Sequence, residues 1–121
     1  MNWNISSWMT TATREFRAVY GLTNSLSSRE TQLNLIAEEY KEFVEAHNHE
    51  DRAECLKELS DLVYVAWQYA ANMGWDLDEA LRRVHMSNMS KLGEDGKPIY
   101  RVDGKVMKGP RYKPPQLGDL V

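Results

Sequence analysis

The sequence predicts an all-α protein, with four helices in a body over about residues 8–92 and an irregular basic C-terminal arm over 93–121. Three observations carry that expectation. Apolar residues recur at helical spacing through long stretches, most clearly Cys55, Leu59, Leu62, Val63, Ala66, Trp67, Ala70 and Met73. Stop and start signals fall between the stretches, with Gly21 and Gly74 as stops and Ser25–Ser28 and Asp76 as sources of N-caps. Four glycines and all four prolines lie beyond Gly93, where they mark turns and break helices.

Each element follows in order. Trp8 to Tyr20 reads as the first helix, with Phe16, Val19 and Tyr20 apolar. The second starts near Ser28 and runs through Leu33, Ile36, Phe43 and Ala46 to about His47. The third runs from near Asp51 to Met73, where Gly74 offers a left-handed cap. Asp76 and Glu79 have the spacing of a capping box for a fourth helix that reaches Lys91 or Leu92. In the arm, Asp95-Gly96 and Asp103-Gly104 are turn signals, and Ile99–Val102 between them has the residues for a short strand or hairpin. The arm is too polar to fold alone.

At 121 residues the chain is sized for one domain over 1–121. Its 42% apolar and 27% charged composition is that of a globular protein. No apolar run approaches the roughly 20 residues that span a bilayer. Met1-Asn2-Trp3-Asn4-Ile5-Ser6 lacks the basic start and apolar stretch of a secretory signal. A single cysteine, Cys55, cannot form an intramolecular disulfide and fits a reducing cytoplasm. It sits among leucines as a small core residue. The net charge of −3 is unevenly spread, with residues 1–90 at −6 and residues 91–121 at +3.

The informative feature is where the acids fall. On an ideal helix Leu35, Glu42, Phe43 and Ala46 lie within roughly 60° of Glu39, so Glu39 and Glu42 sit inside the apolar stripe of the second helix. The third helix repeats this, with Asp61, Leu62, Val65 and Tyr69 within roughly 60° of Glu58. Burying an unpartnered carboxylate costs several kcal/mol. The helical count turns Lys41 and Lys57 away, leaving the inward acids without basic partners. Such acid spacings are common on solvated helix faces, but two inward pairs on consecutive helices point to a divalent cation. An all-oxygen donor set favours Mg²⁺, with Mn²⁺ as a substitute, over zinc. A di-iron site would require Glu-x-x-His pairs, which are missing.

Glu38-Glu39-Tyr40-Lys41-Glu42, followed after fifteen residues by Glu58-Leu59-Ser60-Asp61, resembles the EExxE…ExxD signature of the all-α NTP pyrophosphohydrolases. That group includes the MazG-like enzymes, the dimeric dUTPases and phosphoribosyl-ATP pyrophosphohydrolase. Ser87–Lys91 and Gly104–Pro110 are similar to compact MazG-like members often carried by phages. The resemblance implies a four-helix MazG-like bundle that cleaves nucleoside triphosphates to monophosphate and pyrophosphate. It implies Mg²⁺ on Glu39, Glu42, Glu58 and Asp61, with Glu38 as a further acid of the site. It also implies a homodimer or homotetramer, in the cytoplasm or in a host's cytoplasm if the chain is phage-encoded.

Metal-bound water attacking directly is the simplest chemistry, since no Cys-His or Ser-His arrangement is evident. Glu38 and Glu42 are the alternatives for the base. Asn88 and Lys91, i,i+3 near the end of the fourth helix, resemble the family's amide and ammonium for phosphate or sugar; a helix-end lysine is the plain alternative. Lys105, Lys108 and Arg111 have the charge to close over phosphates or to be a solvated arm. Trp67, Tyr64, Tyr69 and Trp75 are core aromatics by spacing, with base stacking as the alternative. His85 and His47-Asn48-His49 do not form a zinc pattern.

Two rival readings stand beside this one. Phosphoribosyl-ATP pyrophosphohydrolase has the same cage and another nucleotide. A helical adaptor or nucleic-acid module would use the basic arm, but the acidic body and the arm's small positive excess argue against nucleic acid as a partner and leave the nucleoside triphosphate.

Overall fold

A computed structural model of the chain describes residues 7–121. The N-terminal hexapeptide, on which the secretory-signal expectation bears, lies outside the described residues. The class is all-α, with four α-helices: α1 Ser7–Val19, α2 Arg29–Asn48, α3 Arg52–Met73 and α4 Leu77–Met89. A 3-10 turn, Gly118–Leu120, follows near the end of the chain. The chain clusters into two compact units, Met1–Leu77 and Asp78–Val121, which groups α4 with the C-terminal segment.

In the first unit α3 packs against both α2 and α1. Its ends are defined as the sequence anticipates. Asp51 Oδ1 accepts the Glu54 N–H at 3.0 Å, and Gly74, at φ 75°, closes the other end while its N–H and that of Trp75 return to the Ala71 and Ala70 carbonyls. Ser28 takes the N-cap position of α2 without capping by its side chain. Its hydroxyl instead lies within hydrogen-bonding reach of Asn72 Oδ1 on α3 and of the Ser25 carbonyl, with one proton to give to either. Asn72 is 2% exposed and also receives Ser25 N–H and Arg17 Nη2, while its own amide donates to Ser25 O.

The interior of this unit is unusually polar. Thr13 is fully buried with its hydroxyl turned back to Met9 O at 2.8 Å, and Arg17, Gln32, Glu58, Gln68 and Asn72 are buried with it. Ala46 and Ala70 are the buried apolar residues among those described. Phe16 packs edge-on against Tyr64 at 5.8 Å between ring centres.

In the second unit α4 ends at Met89, short of the Lys91 or Leu92 that the sequence suggests. Serines end it early. Ser90 Oγ donates to Ser87 O at 2.6 Å and accepts from Lys113 N–H at 2.9 Å, while Ser87 Oγ reaches Lys113 O at 2.7 Å. The returning chain passes so close that a Cβ on Gly109 would stand 2.1 Å from Leu92 O. The anticipated hairpin is reduced to one antiparallel bridge, Tyr100 to Val106, closed over Asp103-Gly104 by Arg101 N–H to Lys105 O at 2.7 Å. Arg83 fastens the end of the chain to α4 through Gln116 O and Asp119. No described helix is long and apolar enough to cross a membrane.

Candidate metal centre

The antiparallel seam between α2 and α3 is polar along its length. At one end Ser28 meets Asn72; fourteen residues along each helix, in the same register, Glu42 engages Glu58. Between them lie Glu39 and Asp61. Glu39, Glu58 and Asp61 each offer a carboxylate oxygen within 4.8 Å of the others. Glu58 is buried; Glu39 and Asp61 are half-buried. The trio holds three of the four acids that the helical stripes single out; Glu42 is not one of the three.

Three like charges this close repel, and the unit shows how they are tolerated. The Glu42 carboxyl hydrogen-bonds Glu39 and lies in that residue's negative field; with burial and the nearby Glu58 this raises its pKa to about 7. Glu58 is instead held below the usual carboxylate range, chiefly by the Lys57 ammonium. Glu54, one turn before Glu58, is raised by its hydrogen bond to Glu58.

Lys57 corrects one expectation. The helical count turned it away from the acids, but its Nζ lies 3.1 Å from Glu58 Oε1 and 3.2 Å from Asp61 Oδ2. A four-carbon stem reaches round the helix surface where a Cα angle says it should not. The lysine side chain is 60% exposed, so it rims the cage without filling it. On the inner side Glu39 Oε2 and Glu58 Oε2 are buried and have no hydrogen-bond partner. Two orphaned carboxylate oxygens beside Asp61 are what a hard divalent cation would satisfy, so the residues fit such an ion.

A cavity of about 440 Å³ opens beside the cage, lined by Glu42, Glu45, Ala46, His49, Asp51, Glu54 and Glu58. Glu54 was not singled out by sequence reasoning, and His49 entered it only within a histidine cluster that does not form a zinc pattern. Glu54 stands i−4 from Glu58 and so had a signal; His49 is brought to the cavity by the turn between α2 and α3 and had none.

Glu38 is exposed and outside the trio. Asn88, Lys91, Lys105, Lys108 and Arg111 belong to the second unit. All but the half-buried Lys91 are exposed, and Lys108 Nζ sits 4.8 Å from the Tyr112 ring centre. Tyr69 and Trp75 are half-buried, with their ring centres 5.9 Å apart.

All-α helices carrying the EExxE…ExxD acids on a shared seam are those of the MazG-like nucleotide pyrophosphohydrolases. The model of the phosphoribosyl-ATP pyrophosphohydrolase family matches residues 13–88, more than half of the chain, and the chain belongs to that family. The match takes in α2, α3 and the whole cage, reaches Asn88 and stops before Lys91. No curated protein matches the chain significantly. Pyrophosphohydrolysis of the MazG-like type is the general activity that membership assigns.

Proposed function

We propose that the chain hydrolyses a nucleoside triphosphate to the monophosphate and pyrophosphate, with Mg²⁺ as cofactor and Mn²⁺ as a substitute. The observation that carries this reading is the pair of buried, unpartnered oxygens, Glu39 Oε2 and Glu58 Oε2, beside Asp61. Glu39, Glu58 and Asp61, with Glu42 once deprotonated, would hold the ion. When bound, Mg²⁺ supplies charge neutralisation on phosphate oxygens and a lowered pKa for water.

The chain's own groups supply the rest. Water oxygen forms a new P–O bond at the phosphorus it attacks as the anhydride bond between the α- and β-phosphates breaks. The water proton passes to a carboxylate at the cage edge, Glu42 or Glu38. Asn88, Lys91, Lys105, Lys108 and Arg111 are proposed substrate contacts on their chemistry, an amide and four cations for phosphate and sugar oxygens.

Phosphoribosyl-ATP is the second reading, favoured by the family match. A panel of ribo- and deoxyribonucleoside triphosphates and phosphoribosyl-ATP, assayed for pyrophosphate with Mg²⁺ and with EDTA, decides. Mg²⁺-dependent release from a common triphosphate supports the first reading. Release confined to phosphoribosyl-ATP supports the second, and no release from any substrate removes both.

We also propose a homodimer or homotetramer. Leu33, Tyr40 and Val44 share one face of α2 and are exposed, as are Leu56, Leu59 and Val63 on α3, while Ala46 and Ala70 are the only buried apolar residues among those described. A second copy would take these faces out of water.

A further inference from the structure

Arg17 is 4% exposed, yet no carboxylate meets it among the described residues. Its Nε donates to Asn24 Oδ1 at 3.1 Å and its Nη1 to Gln68 Oε1 at 3.3 Å. Its Nη2 donates to Thr23 O and Asn72 Oδ1, each at 3.0 Å. All four acceptors are neutral. Hydrogen bonds to amides satisfy geometry but leave the positive charge without a counter-charge, and a buried charge is normally paired. Burial pulls the Arg17 pKa down accordingly. The carbonyl end of α3 nearby offsets part of this charge.

That offset does not explain the neighbours. Arg17 borders a cavity of about 560 Å³ with Arg14, Ala18, Leu22, Thr23, Asn24, Ala71, Gly74 and Trp75, and no acidic residue lines it. Arg14 precedes Arg17 by one helical turn and forms no ion pair among the described residues. The Thr23 hydroxyl and the Asn24 amide nitrogen make no hydrogen bond there either. A guanidinium has five N–H donors, and one on Arg17 Nη1 is unspent. The polar groups free to act here are donors, and two of the side chains are cations.

We propose that this cavity binds a phosphate dianion, free or as a monoester, held by Arg14 and Arg17 with Thr23 and Asn24. Two guanidiniums on one helical face match phosphate oxygens in number and geometry. Trp75 gives the same cavity an aromatic wall, on which the organic part of an ester can rest. The site is separate from the carboxylate cage, which repels a free phosphate when no metal is present, so it stands or falls independently of the hydrolase reading.

The test is titration calorimetry on the full chain in EDTA, with orthophosphate, a nucleoside 5′-monophosphate and an uncharged nucleoside as probes. Saturable binding of phosphate or the monophosphate is expected, with none of the nucleoside. Arg14→Gln should weaken it roughly tenfold, and Ala18→Glu, which places a carboxylate at the cavity wall, should abolish it. Both positions are exposed, so these variants keep the fold even where an Arg17 variant does not. Tighter binding of the monophosphate assigns the site to an ester; equal binding assigns it to the phosphate group alone. No saturable binding, or binding unchanged in both variants, overturns the proposal.

Discussion

Lys57 Nζ lies 3.2 Å from Asp61 Oδ2, an i,i+4 ion pair that sets a lysine ammonium on the rim of the carboxylate cage. The ammonium and a divalent cation compete for the same oxygens. Lys57→Gln should therefore lower the thermal midpoint in EDTA yet enlarge the midpoint rise that Mg²⁺ produces. Differential scanning fluorimetry across a Mg²⁺ series measures both. Equal Mg²⁺ responses in variant and wild type would mean that the lysine and the metal do not share ligands.

The cage itself is tested by isosteric neutralisation. Glu39→Gln and Asp61→Asn are each expected to abolish turnover, by roughly a hundredfold or more, with far-UV circular dichroism unchanged. Substantial activity in both variants would remove the cage from the mechanism.

Acid should weaken α4 and its attachment to the end of the chain. Glu79 accepts from Arg82 and Arg83, and these hold its pKa down to about 2. The sign follows from the lowered value: the folded state holds the proton less tightly than the unfolded chain. Stability from this pair is fully present above the unfolded glutamate range and is lost as pH falls toward 2. Glu79→Gln should flatten that acid limb of a denaturation curve, whereas an unchanged limb would assign it to other groups.

Gly109 is held by a close approach and not by its dihedral. A methyl there would meet Leu92 O at 2.1 Å and Lys91 O at 2.8 Å, both backbone atoms that cannot swing aside. Gly109→Ala should destabilise by about 1–3 kcal/mol, read by chemical denaturation. Gly118→Ala, where a Cβ meets nothing, is the control and should be near neutral.

If the apolar faces of α2 and α3 meet a second copy, Leu33→Glu together with Leu56→Glu should shift the chain to a smaller species. Light scattering after gel filtration reads the mass. A wild-type chain that is already monomeric would dispose of the proposed assembly.

The pattern of residues alone determined four helices and their approximate bounds, because these depend on local periodicity and on caps that act within a few residues; it also set acids on the two helix stripes from which Glu39, Glu58 and Asp61 come together. Asp51 and Gly74 end α3 where their chemistry says they must. The tertiary structure decided what spacing does not encode. Ser28 turns its hydroxyl toward Asn72 in place of capping α2, and Lys57 bends onto acids that its Cα angle faces away from. Arg17 is buried among amides supplied from 6 to 55 residues away. Periodicity records which way a Cα faces along one helix. Where a long side chain comes to rest, and which distant groups desolvate it, is settled when the helices meet.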